Sequence, residues 1–211
     1  MSGARLAHYI WTRIQSMGMN MGGEVSSGAS AAPAHGVFEA FESALRSFAI
    51  VTSDAGDDRV DRAVRDVLRL VREHLNMDLA FVSCVQGGLR FFRNVDPPHG
   101  LQLLKEGASD PEEESFCRQV LDGRLPELVR DVSTYPGRDA LPATPFRIGA
   151  HMSTPIRLAD GSIYGTLCCF SFAANQELAE RDLKRLQMAA QMTARLIDQA
   201  RRNGNDLSQV A

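Results

Sequence analysis

Cysteine thiols are the side chains of this sequence best suited to chemistry, and there are four: Cys84, Cys117, Cys168 and Cys169. Their spacing fits no zinc-binding pattern of the C-x2-C type, so no metal site is predicted. Cys168 and Cys169 are adjacent in a predicted strand, and their side chains should point to opposite faces of a sheet. They therefore cannot easily pair with each other or hold one metal ion. The pattern is typical of buried, reduced thiols in a cytoplasmic protein.

Cys117 is the first candidate for a reactive thiol, which requires a thiolate stabilised by a cation, a histidine or a helix N-terminus. The sequence places it roughly two turns into a helix that begins near Asp110. Glu113 and Glu114 precede it and would raise the pKa of the thiol, while Arg118 should point elsewhere. A core role is therefore favoured, with pocket lining as the alternative. No catalytic residue is predicted.

His151 begins a predicted hairpin close to Arg147 and Ser153. It is either a hydrogen-bonded core histidine or, with Arg147, a polar group that contacts a ligand. Aromatic residues could form the apolar walls of such a site, because small-molecule sites are mostly apolar with a few directed polar groups. The alternative for each aromatic residue is simple core packing. The candidate pocket residues are Phe81, Ser83, Cys117, Asp131, Tyr135, Phe146, Arg147, His151 and Ser153.

Composition excludes several classes of function. The chain has 211 residues, of which 44% are hydrophobic and 23% charged, with a net charge of −3. A mildly acidic chain without a basic block argues against nucleic-acid binding, which depends on phosphate neutralisation. No apolar run reaches the roughly 20 residues that span a bilayer, and no secretory signal is recognisable. We therefore expect a cytoplasmic protein with no membrane partner.

The chain divides into a flexible extension, a folded unit and a short tail. Residues 1–36 end in a stretch of small and polar residues that cannot bury enough surface to become ordered. Apolar periodicity predicts a folded unit over residues 37–202, followed by a tail at 203–211.

The helices of this unit follow from apolar stripes with three- and four-residue spacing. The stripes predict helices at 37–51, 57–76 and 175–202. Another helix is predicted from Asp110, with Pro111 in its first turn and a stop at Gly123. The apolar band of the last helix is broad enough for two surfaces, so we expect a homodimer formed through the terminal helices.

Two hairpins supply most of the strands. Residues 78–85 and 89–95 flank Gly87-Gly88, and the segment 147–172 turns at Asp160-Gly161, a sequence typical of tight hairpin turns. A short strand is predicted near residues 127–132. The loop at 133–146 is rich in proline and glycine, and loops of this length are often binding elements.

The order of these elements resembles that of GAF domains over roughly residues 37–202. The resemblance includes a short helix ending in Val120-Leu-Asp-Gly123, a strand leading to Arg130-Asp131-Val132, the turn at Pro155–Gly161, and Tyr164-Gly-Thr-Leu167 before the closing helix. It implies an α/β (α+β) fold with a central antiparallel β-sheet of five or six strands. Terminal helices would pack on one face and a ligand pocket, covered by residues 97–146, on the other.

The resemblance also implies a function. The segments Ser115–Gly123 and Leu167–Phe170 look like those of bacterial signalling GAF domains, which often act with histidine kinases or cyclic-di-nucleotide enzymes. We therefore expect a non-enzymatic sensory domain that binds a small ligand and signals through dimeric terminal helices to such a partner. The family has no universal catalytic residues, and the ligand cannot be identified from the sequence.

Four other roles are weighed against this one. The segment Asp131-Val-Ser-Thr-Tyr-Pro-Gly137 resembles one in GAF proteins that reduce free methionine sulfoxide, but residues 138–150 contain no cysteine where that group has one. The second alternative is a dimerisation scaffold without a ligand. Covalent bilin binding is disfavoured because Arg118, and not histidine, follows Cys117, and no second feature supports haem binding by His151 or His99.

Overall fold

The computed structural model describes Ser43, residues 57–97 and residues 103–208. Its elements in chain order are α1 (Asp57–His74), β1 (Leu79–Gln86), β2 (Leu89–Asp96), β3 (Ser109–Pro111), a 3-10 turn (Glu112–Glu114), α2 (Phe116–Leu121), β4 (Leu128–Val129), two further 3-10 turns (Val132–Thr134 and Arg138–Ala140), β5 (Ala150–Arg157), β6 (Ile163–Ser171) and α3 (Glu180–Ser208). Apart from Ser43, the predicted extension 1–36 and helix 37–51 lie outside the described residues. The domain boundaries remain predictions.

One six-stranded antiparallel sheet, in the order β3-β2-β1-β6-β5-β4, organises the described part of the chain. This confirms the predicted fold class. The first hairpin turns at Gly87 and Gly88, with φ of 60° and 77°, and the second at Gly161, with φ of 82°. Positive φ at these positions is what a tight turn between right-twisted strands requires. No helix in the described ranges is long and apolar enough to cross a membrane.

Side chains alternate along the central strands and so give the sheet two different faces. On the helix face, sheet residues pack against α1 and α3, where Val67, Leu68 and Val71 have no exposed surface. Each such side chain contributes about 1.5–3 kcal/mol to stability. The sheet residues of the helix face are Ala80, Val82, Ala150, Met152, Ile156, Leu167 and Cys169.

The opposite face, the pocket face, carries a separate apolar cluster that includes Cys117 of α2. Alternation also places polar side chains here, among them Ser83, His151 and Thr166. The apolar residues that β1, β2 and β6 supply to this cluster are Leu79, Phe81, Phe92, Val95, Cys168 and Phe170.

The prediction of a helix beginning at Asp110 is wrong. Asp110 lies in the edge strand β3, where it forms an ion pair with Arg90 of β2. The helix α2 begins only after Ser115, whose side-chain oxygen accepts a 3.1 Å hydrogen bond from the backbone N–H of Arg118. The cross-strand ion pair therefore overrides the local capping signal. Gly123, with φ of 70°, follows the end of α2 as predicted.

The last helix begins at Glu180 and not near Asn175. The backbone N–H of Asn175 donates to the carbonyl of Arg130. This hydrogen bond holds the segment that precedes α3 away from helical geometry. Asp182 accepts a 2.9 Å hydrogen bond from the N–H of Ala179 and so closes the first turn of α3. Much of the apolar band of α3 is buried within this single chain, including Leu186 and Leu196. The homodimer remains a prediction.

We expect Gly165→Ala to disrupt the contact between β1 and β6. A Cβ at Gly165 would lie 2.0 Å from the carbonyl oxygen of Ser83 and 2.8 Å from the Cα of Cys84. Because these atoms belong to the backbone, the strands must separate. The free energy of unfolding should fall by about 3 kcal/mol or more, the upper end of the range typical of overpacking. Urea unfolding measures the loss.

Gly161→Ala is the matched control, since a Cβ there meets no atom within 4 Å and only the positive φ opposes it. Its cost should be roughly 1–2 kcal/mol. Equal stability of wild type and Gly165→Ala would contradict the close strand contact.

Candidate functional site

A cavity of about 50 Å³ lies on the pocket face, between the sheet, α2 and the loop that precedes β5. A space of this size holds roughly three to five water molecules or a molecule of a few heavy atoms. Its lining residues are Phe81, Arg90, Phe92, Leu104, Ser115, Phe116, Cys117, Thr144, Phe146, Ile148, His151 and Phe170. Thr144 and Phe146 belong to the loop predicted to be a binding element.

Aromatic rings form the walls of the cavity. Phe146 stacks on Phe170 with ring centroids 5.2 Å apart and an interplanar angle of 16°. Phe81 and Phe92 meet edge to face at 5.3 Å on the other side. Such aromatic pairs add roughly 0.5–1.5 kcal/mol beyond their burial, so the walls are stable without a ligand.

Arg90 is the cation of the site. Its Nε donates a 2.9 Å hydrogen bond to Asp110, and its Nη1 donates at 3.2 Å to the sulfur of Cys117. Its guanidinium carbon lies 4.7 Å from the ring centroid of Phe92, a favourable cation–π distance. Burial alone would lower the pKa of Arg90, but attraction to Cys117 and the hydrogen bond to Asp110 raise it above its ordinary value. The guanidinium is therefore charged and held on three sides.

Cys117 and Cys168 form a buried thiol pair with their sulfur atoms 3.2 Å apart. The hydrogen bond from Cys168 lowers the pKa of Cys117 despite burial, and the charge of Arg90 lowers it further. Burial and the same hydrogen bond raise the pKa of Cys168. Cys117 is thus the thiolate of the pair and Cys168 the thiol that donates to it.

This corrects the expectation that nearby glutamates would raise the pKa of Cys117. Glu112 is buried and paired with Arg118, while Glu113 keeps 72% of its side chain exposed. The charge that reaches the sulfur is that of Arg90. Arg90 lies 27 positions from Cys117 in sequence, but the fold places its guanidinium within hydrogen-bond distance of the sulfur, where its charge adds to the effect of Cys168.

Hydroxyl groups surround Cys168 on the sheet. Its sulfur lies 2.9 Å from the Oγ of Ser153 and 3.1 Å from the Oγ1 of Thr166. Thr166 in turn lies 2.9 Å from the Oγ of Ser83 on the neighbouring strand β1. These contacts satisfy the buried hydroxyls and fix the position of the Cys168 sulfur.

His151 contributes a buried polar atom without a partner among the described residues. The side chain is 2% exposed, and its Nδ1 has no hydrogen bond within this part of the structure. Its ring lies 5.2 Å from that of Phe116, centroid to centroid. Burial, and then the charge of Arg90, lower the pKa of His151 to about 3, so the imidazole is neutral. A neutral ring with an unpaired nitrogen in a cavity wall is suited to a hydrogen bond with a ligand.

Four of the nine predicted pocket residues line the cavity: Phe81, Cys117, Phe146 and His151. Ser83 and Ser153 do not reach the cavity but belong to the hydroxyl network around Cys168. The predicted residues on the pocket face therefore form one connected group.

The other three predicted residues lie elsewhere. Asp131 accepts hydrogen bonds from the backbone and side chain of Ser133, and the Tyr135 hydroxyl donates at 3.1 Å to the carbonyl of Arg124. Arg147 is exposed, and its charge acts on Asp131. These side chains stabilise the loop and do not line the cavity.

Arg90 is the main functional residue that sequence reasoning missed. A usable signal existed, because Arg90 and Phe92 share one face of β2 and a charged residue on a buried face needs a partner. The pairing of Cys117 with Cys168 left no local signal, since the two lie 51 positions apart. In the described ranges, no group of three or more histidine, cysteine, aspartate or glutamate side chains could hold a metal ion.

The buried neutral His151 predicts a specific pH dependence of stability. The unfolded chain takes up a proton near the ordinary pKa of 6.5, whereas the folded protein does so only near 3. The contribution of His151 to the free energy of unfolding therefore falls as the pH drops below about 6.5, by at most about 1.4 kcal/mol per pH unit. Urea unfolding of wild type and His151→Asn between about pH 7 and pH 5 measures it.

His151→Asn should show the shallower slope. Met152→Leu, which changes the next residue of β5 on the helix face and alters no titratable group, serves as the control and should keep the wild-type slope. Identical slopes for wild type and His151→Asn would disprove the assignment of a buried neutral imidazole.

Comparison with solved structures shows the same fold in proteins of low sequence identity. The GAF domain of a phosphoenolpyruvate-protein phosphotransferase from Coxiella burnetii is 18% identical with a TM-score of 0.63, covering 80% of this chain and 98% of that chain. Free methionine-R-sulfoxide reductase from Neisseria meningitidis, in complex with its substrate, is 16% identical with a TM-score of 0.60, covering 84% and 98%. The chromophore-binding domain of a bacteriophytochrome from R. palustris is 14% identical with a TM-score of 0.63, covering 83% and 64%.

Among curated protein sequences, no relative matches the chain significantly. The GAF domain family model matches residues 59–197, which include all six strands and the whole cavity lining. Because this match covers more than half of the chain, the chain belongs to the GAF domain family.

Proposed function

We propose that this chain is a non-enzymatic sensory domain whose cavity binds a small molecule. The observation that carries the proposal is His151, a residue of the mostly aromatic cavity wall whose buried Nδ1 has no partner among the described residues. A buried nitrogen without a partner costs roughly 1–3 kcal/mol, and a ligand that supplies the hydrogen bond recovers this energy. The ligand would complete the site.

The size and charge of the cavity restrict the ligand. About 50 Å³ is far below the roughly 300–1,000 Å³ of sites for drug-sized molecules. The charge of Arg90 is already balanced by Asp110 and the Cys117 thiolate, so no ionic partner is needed. We infer a compact, neutral and largely apolar molecule with one hydrogen-bonding group directed at His151.

The sheet offers a direct route from the cavity to the terminal helix. His151 faces the cavity, and the next residue of β5, Met152, is fully buried in the helix-face core with α3 residues such as Leu186. A ligand that shifts β5 would therefore shift the packing of α3. The size of such coupling is limited by the difference in ligand affinity between the two states.

The kind of output protein that would receive the signal is inferred from the family. Signals would pass through terminal helices in a homodimer to an output protein, a kinase or a cyclic-di-nucleotide enzyme, in the cytoplasm. The similar structures include GAF units of a phosphotransferase and of a bacteriophytochrome. Ligand entry would order the loop at 133–147, of which Thr144 and Phe146 line the cavity, and would shift the terminal helices.

A thiol-dependent reductase of free methionine sulfoxide is the second candidate. The Cys117 thiolate lines the cavity, Cys168 lies behind it, and one structure of similar fold is such a reductase. Reduction would move the sulfoxide oxygen to water while two thiols become a disulfide. Against this candidate, the loop before β5 has no cysteine.

Ligand binding can be tested by NMR titration of the full chain with butanone, pyrazole and ethanol, three small neutral probes. We expect saturable shifts of amide signals at His151, Ile148 and Phe170, because these residues line the cavity. Native mass spectrometry of the freshly purified protein looks for a retained cellular molecule in parallel.

His151→Phe keeps an aromatic ring but removes the nitrogen, and should weaken probe binding at least about tenfold, the equivalent of one hydrogen bond. Met152→Leu changes the next residue, on the helix face, and should leave binding unchanged. Absence of any saturable shift and of any retained molecule would reject the sensory proposal.

The two candidates are separated by an activity assay. The full chain is incubated with methionine-R-sulfoxide and dithiothreitol, and the methionine formed is quantified. The sensory proposal predicts no turnover above the reductant alone. Catalytic turnover that disappears in Cys117→Ser would replace it with the reductase.

A further inference from the structure

The thiol pair holds its two sulfur atoms close to bonding distance. Their separation of 3.2 Å exceeds a disulfide bond length of roughly 2.05 Å by only about 1.1 Å. Cys117 lies on α2 and Cys168 on the central strand β6, so a bond would join the short helix to the middle of the sheet. Both thiols belong to the same buried cluster.

The two sulfurs have different access and different charge. Cys117 lines the cavity, whereas Cys168 is 0% exposed and does not line it. The Nη1 of Arg90 donates to the Cys117 sulfur, which favours the thiolate there. A thiolate at a cavity and a second thiol directly behind it is the arrangement of an oxidisable cysteine and its resolving partner.

We propose that Cys117 and Cys168 are a redox modification site, in which hydrogen peroxide, a molecule small enough for the cavity, converts the thiol pair into a reversible disulfide. This inference does not depend on ligand binding. It assigns the pair a stoichiometric modification and no catalytic turnover of a sulfoxide.

The chemistry proceeds in two steps. The Cys117 thiolate attacks one peroxide oxygen, the S–O bond forms, the O–O bond breaks, and hydroxide leaves and takes a proton from solvent to become water. Cys117 is now a sulfenic acid, oxidised by two electrons, and the peroxide has been reduced. The Cys168 sulfur then attacks the Cys117 sulfur, and the oxygen leaves with the Cys168 proton as a second water. A dithiol reductant reverses the bond and is itself oxidised to a disulfide.

Oxidation would change the cavity wall. The disulfide is neutral, so Arg90 would lose the negative charge at Cys117 and keep only Asp110 as an ionic partner. The Nη1 group would then become available to the cavity. The oxidised protein would therefore present a more positive pocket, together with a covalent link between α2 and β6.

The other two cysteines provide internal controls. Cys169 is 0% exposed on the opposite, helix face of β6, and burial raises its pKa. Cys84 is half-buried in β1. Neither belongs to the apolar cluster of the thiol pair.

The test treats the reduced full chain with a few molar equivalents of hydrogen peroxide and counts free thiols in denaturant. We expect the count to fall from four to two, and to return to four after dithiothreitol. Alkylation, digestion and mass spectrometry should identify one linked peptide pair that contains Cys117 and Cys168. Because the wild type alone gives this result, the proposal does not depend on the stability of any variant.

Variants separate the two steps. Cys168→Ser should leave a sulfenic acid at Cys117 that dimedone traps, since the resolving thiol is absent. Cys84→Ser is the matched control and should form the disulfide to the same extent as wild type. The proposal is overturned by retention of all four thiols, by thiol loss confined to Cys84, or by oxidation of Cys117 without a link to Cys168.

Discussion

Alternation of side chains along the central strands β1, β6 and β5 is the constraint on which the rest of the structure depends. Each central strand is covered on both sides, so one set of residues must suit a helical core and the other a cavity. Adjacent residues therefore have opposite roles: Cys168 faces Cys117, while Cys169 packs in the helix-face core. A shift of register by one residue would exchange the two sets and destroy both faces.

The cost of burying charge explains how the polar part of the pocket face is arranged. Arg90 reaches an apolar region only because Asp110, the Cys117 sulfur and the face of Phe92 surround it. Buried charges are tolerated when they are paired. The same pairing keeps Asp110 in the edge strand and delays the start of α2 to Phe116. The hydrogen bond from Cys168 lowers the pKa of Cys117 most, and the charge of Arg90, which this pairing holds beside the sulfur, lowers it further.

His151 differs from the other buried polar groups of the site because its Nδ1 is unpaired within the described residues. Ser83, Ser153 and Thr166 all have partners in the network around Cys168. Buried polar atoms in native proteins nearly always have a hydrogen-bond partner, so an unpaired buried nitrogen requires an explanation. The site therefore combines a thiol pair whose polar neighbours have hydrogen-bond partners with a histidine whose Nδ1 has none among the described residues.

The sequence by itself determined the local elements and, through their order, the fold. Turn glycines at 87–88 and 161 and apolar periodicity are local signals, and the hairpins, the helix at Asp57–His74 and the two-faced sheet follow from them. Local signals predicted the wrong helix start at two residues that bind a partner distant in sequence. Asp110 pairs with Arg90, and Asn175 donates to the carbonyl of Arg130.

Only the tertiary structure decided which predicted site residues meet. Phe81, Cys117, Phe146 and His151 converge on the cavity, whereas Asp131, Tyr135 and Arg147 serve the loop. The partnership of Cys117 with Cys168 and Arg90 depends on sequence separations of 51 and 27 residues, which no periodicity reports. Chemistry at this site arises from short distances between distant residues, and strand pairing together with the packing of α2 on the sheet creates those distances.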